Sequence, residues 1–208
     1  MHENSRLLFE KYARPYFVPP SEVLEIGPDA EPSSYRRTLS TPTARWDTLD
    51  FAGRDDIELT YRTASDYSFP VPDSSYDIVV SGNVIEHVRE VWTWMQEVAR
   101  VCRPGGLIVT SCPITFHHHP APVDCWRIYP DGMRALSDHA GLEVLVSEFE
   151  SVERVRVIAR LPDRLAPKKI FERLAGINWL MNKSIGFPRR TGTFDTLTVA
   201  RKPPLQGG

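Results

Sequence analysis

The chain has 208 residues, 41% of them hydrophobic and 10% aromatic, which excludes a wholly disordered polymer and suits one domain with a full core. A formal charge of −2 argues against nucleic acid as a partner, and no apolar run approaches the roughly 20 residues of a membrane span. Cys102, Cys112 and Cys125 form no CxxC pair and cannot all be paired with one another, which fits a reducing cytoplasm.

The first stretch, MHENSRLLFEKYARPYF, carries scattered charges instead of a signal peptide's apolar core, so a cytoplasmic location is expected. Within it Ser5 to Tyr12 reads as a short helix with Leu8 and Tyr12 on one face, stopped by Pro15 and Pro19-Pro20. Residues 1–20 are therefore expected to cover a sheet edge. Glu22 to Gly27 reads as a buried strand entering a turn at Gly27-Pro28, and Ser33 or Ser34 can cap a helix beginning near Tyr35. Ala44 to Phe51 is a second strand ending near Asp50, and Ile57 to Thr63 is a third. The few residues between these two leave room for a bare turn or a single helical turn, not a crossover helix.

The stretch from Tyr76 to Pro113 is the organising unit. Ile78-Val79-Val80 and Leu107-Ile108-Val109 are short, mostly β-branched runs, apolar on both faces as central parallel strands must be. Val91, Met95, Val98 and Cys102 recur between them at helical spacing, and Pro104-Gly105-Gly106 ends the helix. This βαβ unit places Ser81, Gly82 and Asn83, with Glu86 and His87 a turn later, at the carboxyl edge of the sheet, where open α/β sheets bind ligands.

After it, Pro130 opens a helix that Gly141 stops, and Leu142 to Val152 and Thr193 to Ala200 read as the last two strands. Charge is divided along the chain: residues 1–153 hold 13 basic and 24 acidic side chains, whereas 154–190 hold 10 and 2. In that basic segment Ile170, Phe171, Leu174, Ile177 and Met181 share a helical face bordered by Lys168, Lys169, Arg173 and Lys183. A helical insertion or lid over 154–190 is expected, facing an anionic acceptor or, through 165–183, a membrane surface.

In order along the chain, VLEIGP (Val23 to Pro28), LDF (Leu49 to Phe51), ASDYSFPVPDSSYDIVVSGNVIEHV (Ala64 to Val88) and VARVCRPGGLIVTSCP (Val98 to Pro113) resemble the S-adenosylmethionine-dependent methyltransferases with a seven-stranded Rossmann-like fold. The resemblance implies an α/β fold: a single doubly wound, mostly parallel sheet with an antiparallel last strand, forming one methyltransferase domain over 1–208. It also implies S-adenosyl-L-methionine as cofactor. Glu25 would hold the methionine amino group, with Gly27 and Pro28 at the close-approach turn. Asp50 would accept the ribose hydroxyls, with Phe51 beside it and Asp47 as the substitute if the strand register differs. Ser65 or Asp66, with Asp66 the better acceptor, would contact the adenine amine, Tyr67 and Gly82 would also border the cofactor, and Asn83 would lie beside the sulfonium.

The segment FHHHPAPVDCWRIYPDGMRALSDHAG further resembles the acceptor side of methyltransferases from sugar and polysaccharide biosynthesis. That implies a hydroxyl acceptor on a small molecule, sugar or carrier-linked glycan. His119, Asp124, Trp126 and Arg127 are the matching positions, with His117 and His118 alongside. Imidazole suits removal of a hydroxyl proton, so His87 and His119 are the catalytic candidates. Related enzymes hold Mg²⁺ with Glu-x-x-Glu-His; here Asn83 replaces the first acid, and no metal is expected. Two other classes remain open. A nicotinamide-dependent oxidoreductase would share the sheet but normally carries a fuller GxGxxG, and a non-catalytic interaction subunit is favoured by Pro28, Asp29 and Ala30 where further glycines usually stand.

Overall fold

Strand alternation distributes the apolar side chains of this sequence onto two faces of one sheet, and each face recruits its own cover. The computed structural model describes residues 3–39, 43–120, 122–152 and 193–205. The basic segment 154–190, and with it the proposed contact surface 165–183, lies outside the described residues.

The chain opens with helix α1 (Glu3–Leu8), which continues through a π-helical turn (Phe9–Ala13) and a 3-10 turn (Arg14–Tyr16). Strand β1 (Glu22–Ile26), helix α2 (Ser34–Leu39), strand β2 (Arg45–Phe51) and strand β3 (Tyr61–Thr63) follow. The central unit comprises strand β4 (Tyr76–Gly82), a 3-10 turn at Ile85–His87, helix α3 (Val91–Val101) and strand β5 (Cys102–Pro113). Helix α4 (Pro130–His139) and strands β6 (Glu143–Glu150) and β7 (Asp195–Arg201) complete it. The seven strands are ordered β3-β2-β1-β4-β5-β7-β6, parallel from β3 to β5, with β7 antiparallel to both neighbours. This is the doubly wound, Rossmann-like arrangement expected.

Leu24, Ile26, Val79 and Ile108 point to one face, where they meet Trp94, Met95 and Val98 of α3 and Met133 and Leu136 of α4. Each of these buried side chains stabilises the fold by roughly 1.5–3 kcal/mol. Val23, Ile78, Val80 and Val109 point the other way, against Leu8 and Phe9 and against Tyr35 and Leu39 of α2. The N-terminal helix thus covers a sheet face. The edge position expected for it is wrong, because Leu8 and Phe9 are both fully buried on that face.

Two local expectations also need revision. Pairing in the third strand begins only at Tyr61, because Thr48 and Thr60 exchange bonds through their hydroxyls (3.1 and 3.2 Å) where a backbone ladder would otherwise start. The Pro104-Gly105-Gly106 stop lies inside β5: α3 already ends at Val101, and Gly105, with φ +81, carries the strand past a register shift between Tyr76 and Ile78.

Candidate active site

The carboxyl ends of β1, β2 and β4 surround a cavity of about 490 Å³, a volume in the usual range for small-molecule sites. It opens where the strand order turns back from β1 to β4, the topological switch point of the sheet. Gly27, Asp50, Phe51, Asp66, Asn83 and His87, six of the positions singled out from the sequence, line it.

Each is aimed by its element. Gly27 leaves β1 with φ +70, and a Cβ there would lie 2.3 Å from Val84 Cγ2, so only glycine keeps this cradle open. Asp50 ends β2 with Oδ1 accepting the Phe51 backbone N–H at 2.8 Å and Oδ2 paired to Arg54 Nη1 at 3.0 Å. Burial raises the Asp50 carboxyl above its ordinary value, while Phe51 and Arg54 pull it back; burial alone raises Asp66. Asn83 has a positive φ of 58, its N–H bonded to Ser111 O at 2.9 Å and its Oδ1 accepting from Ser5 at 3.2 Å. Its Nδ2 is buried without a hydrogen-bond partner.

Five expected cofactor positions do not line the cavity. Glu25 faces the opposite layer, because the strand alternation that points Ile26 at the cavity turns Glu25 away from it. Only 1% exposed, Glu25 accepts hydrogen bonds from Ser33 Oγ and from Trp46 Nε1 (2.9 Å), and Ser33 Oγ in turn accepts Arg36 N–H to cap α2. Burial pushes its carboxyl up to about 7. Pro28 is buried behind the turn. Ser65 and Tyr67 are used locally, Ser65 Oγ accepting Tyr67 N–H (3.1 Å) and Tyr67 Oη accepting Glu90 N–H (3.2 Å). Gly82 makes room for the Tyr35 hydroxyl, which a Cβ would meet at 2.0 Å. Asp47, the substitute for Asp50, accepts a bond from the Tyr76 hydroxyl at 2.5 Å instead of reaching the cavity.

On the acceptor side the segment after β5 folds back over the turn at Ile85–His87. The N–H of Cys125 and that of Trp126 bond to Glu86 O at 2.7 and 3.3 Å, which draws the loop across. The His87 and His119 rings consequently meet edge to face with centroids 4.9 Å apart. Glu86, beneath them, is 1% exposed; burial pushes its carboxyl up to about 8, and its Oε2 has no hydrogen-bond partner. The ligand atoms of Glu86, His87 and His119 all lie within 4.8 Å of one another. Sequence reading noticed Glu86 at the sheet edge, but its burial follows from the loop closing over it, which no local pattern announces.

The other acceptor candidates are engaged internally. Arg127 donates to both Asp124 oxygens (2.5 and 2.7 Å), and this holds the Asp124 carboxyl well below the usual carboxylate range. Asp124 Oδ2 also accepts His119 N–H at 3.0 Å, so this pair shapes the loop that carries His119. Trp126 is no open platform: its indole N–H bonds Val88 O at 2.7 Å and its ring packs against the core and Trp92. His117 and His118 are exposed beside His119, outside the cavity lining. Arg54, four residues after Asp50, was missed; its spacing from an acid was the available signal.

Residues 39–110 match the family model described as a methyltransferase domain. A stretch of 59 residues is 46% identical to an uncharacterised methyltransferase of Mycobacteroides abscessus, a match spanning 28% of this chain and 23% of that relative. Among solved structures, the fold is similar to an S-adenosylmethionine-dependent methyltransferase of Mesorhizobium loti (TM-score 0.59, 15% identity, covering 92% of this chain and 97% of that one). It is also similar to a phosphoethanolamine N-methyltransferase of Haemonchus contortus solved with S-adenosyl-L-methionine (TM-score 0.58, 14% identity, covering 97% of this chain and 53% of that one). At such identities the structural likeness is one of fold.

Proposed function

We propose that the protein is an S-adenosylmethionine-dependent methyltransferase acting on a hydroxyl of a small molecule, sugar or carrier-linked glycan. The observation that carries this reading is the switch-point cavity, where the glycine cradle at Gly27, the β2 acid Asp50 and Asn83 after β4 surround one space. These groups suit a nucleoside sulfonium: an acid for two ribose hydroxyls, a backbone open to close approach, and a polar amide near β4. Asp66, raised by burial and lining the same space, suits the adenine amine.

When bound, S-adenosylmethionine supplies a sulfonium methyl, which the acceptor oxygen takes by in-line displacement as the C–S electron pair passes to sulfur. This chain's contribution is alignment and loss of the acceptor's proton at the Glu86, His87 and His119 end of the cavity. Asp124 and Arg127 keep that end in shape by fixing the loop under His119. A cytoplasmic reaction accords with the three cysteines, none of them in a disulfide. Among the described residues no helix is long and apolar enough to cross a membrane.

The test is incubation with isotopically labelled S-adenosylmethionine and parallel panels of free sugars, nucleotide-linked sugars, phenols and amines, followed by mass spectrometry. Label on a hydroxylated acceptor is the expected product. Transfer only to amines would reject the oxygen-acceptor reading, and no transfer or cofactor binding at all would reject the activity.

A further inference from the structure

The Glu86, His87 and His119 cluster has features that acceptor deprotonation by an imidazole alone does not require. His87 presents Nδ1 to Val123 O, which makes Nδ1 the protonated nitrogen and leaves the Nε2 lone pair toward Glu86, 3.8 Å from Oε1. His119 is arranged alike: its Nδ1 faces His117 O at 3.0 Å and Asp124 Oδ2 at 3.2 Å, so Nε2 is the nitrogen available to a ligand. Two imidazoles with Nδ1–H anchored on a carbonyl and a carboxylate form the second shell that metal-binding histidines ordinarily have. Between them stands a buried carboxylate whose Oε2 has no partner, an arrangement that costs stability unless something fills it.

We propose that Glu86, His87 and His119 bind one divalent first-row transition ion such as Zn²⁺, with an open coordination position toward the cavity that His87 lines. Two neutral imidazoles and one carboxylate are the donors such ions take in catalytic sites, where three protein ligands leave a fourth position for water or substrate. The expectation of no metal was framed for Mg²⁺, which prefers oxygen ligands, and the objection from Asn83 does not extend to an ion that prefers nitrogen. The ligand atoms now span up to 4.8 Å, and bonds of about 2.0–2.2 Å would draw them closer. The His87 and His119 side chains, 20% and 28% exposed, are at the rim where such movement is least costly.

The ion site stands on its own donors; its role in acidifying a bound acceptor hydroxyl rests on the methyltransferase reading. With an ion in place the two Nε2 atoms are ligands, and the hydroxyl's proton passes to water instead of to imidazole.

Untagged protein stripped with chelator is titrated with Zn²⁺ by calorimetry, and Co²⁺ is added separately to read its visible d–d bands. The expected result is one ion per chain, with affinity falling at least roughly tenfold in Glu86→Gln, His87→Ala and His119→Ala but not in His139→Ala, an exposed histidine elsewhere. Because Glu86→Gln can disturb the buried loop, the partly exposed His119→Ala decides the matter if the first variant melts early. No tight ion in the wild type, or affinity unchanged by His87→Ala and His119→Ala, would overturn the site. S-adenosylhomocysteine binding is measured on the same stripped protein. If Zn²⁺ binds and the variants lose it while S-adenosylhomocysteine does not bind, the metal site stands and the methyltransferase reading falls.

Discussion

Asn4 and Asp195, 191 positions apart in sequence, are both fully buried and joined by a hydrogen bond from Asn4 Nδ2 to Asp195 Oδ2 of 2.8 Å. The same amide donates to Glu150 O (3.0 Å) and its Oδ1 accepts Val152 N–H (2.8 Å), so one side chain ties α1 to the ends of β6 and β7. Asn4→Ala removes all three bonds and takes a donor from a buried carboxylate. At about 1–3 kcal/mol for each buried group left unmatched, the expected loss is roughly 3 kcal/mol, or a Tm lower by on the order of 6–12 °C in a thermal melt. A melt unchanged within a degree or so would show that α1 is not structurally coupled to the last strands.

Glu25 makes stability depend on pH. Burial raises its carboxyl from 4.5 to about 7, so the folded protein retains a proton that the unfolded chain releases. The stability this group contributes is complete below about 4.5 and is lost as pH rises through about 7. The shift corresponds to a few kcal/mol at most, at about 1.4 kcal/mol per unit. Glu25→Gln should flatten this part of the profile, gaining on the wild type between pH 5 and 8 in denaturant titrations. Parallel curves for the two proteins would remove Glu25 as the cause.

At Gly27 a methyl group faces two obstacles, a positive φ and the Val84 side chain 2.3 Å away. Gly27→Ala is expected to weaken S-adenosylhomocysteine binding by more than tenfold, with roughly 1–2 kcal/mol of backbone strain visible in unfolding. Adding Val84→Ala relieves the steric part only, so the double variant should recover some affinity and none of the strain. Full affinity in the single variant would mean the cradle is not where the methionine end rests.

The sequence announced the elements that carry strong punctuation. The apolar runs at Ile78 and Leu107, the helical spacing from Val91 to Val98, and Pro130 with Gly141 marked the central unit and α4, although Cys102, read as helical, opens β5 instead. What it left obscure depends on single-residue geometry or on distant partners. One step of strand alternation sends Glu25 into the far layer and Ile26 to the cavity, and no composition cue distinguishes those registers. Asp124 and Arg127 stood as acceptor ligands through the resemblance of their segment to sugar methyltransferases, yet their three-residue spacing lets them satisfy each other. Asp50, at the end of a strand in the expected register, was the most legible site residue.

That residue also offers the decisive measurement. The Arg54 pair is partly exposed and is worth little, so Arg54→Ala should change S-adenosylhomocysteine affinity only a few-fold. If Asp50 accepts both ribose hydroxyls as proposed, Asp50→Ala forfeits about 1.5–3 kcal/mol for each bond to a charged group and should weaken binding at least roughly a hundredfold while the protein stays folded. Calorimetric titration of S-adenosylhomocysteine into the wild type and Asp50→Ala reads this directly. Micromolar-range wild-type binding that collapses in the variant is the predicted result; equal affinity in both, or no binding to the wild type, would contradict the assignment of this cavity to S-adenosylmethionine.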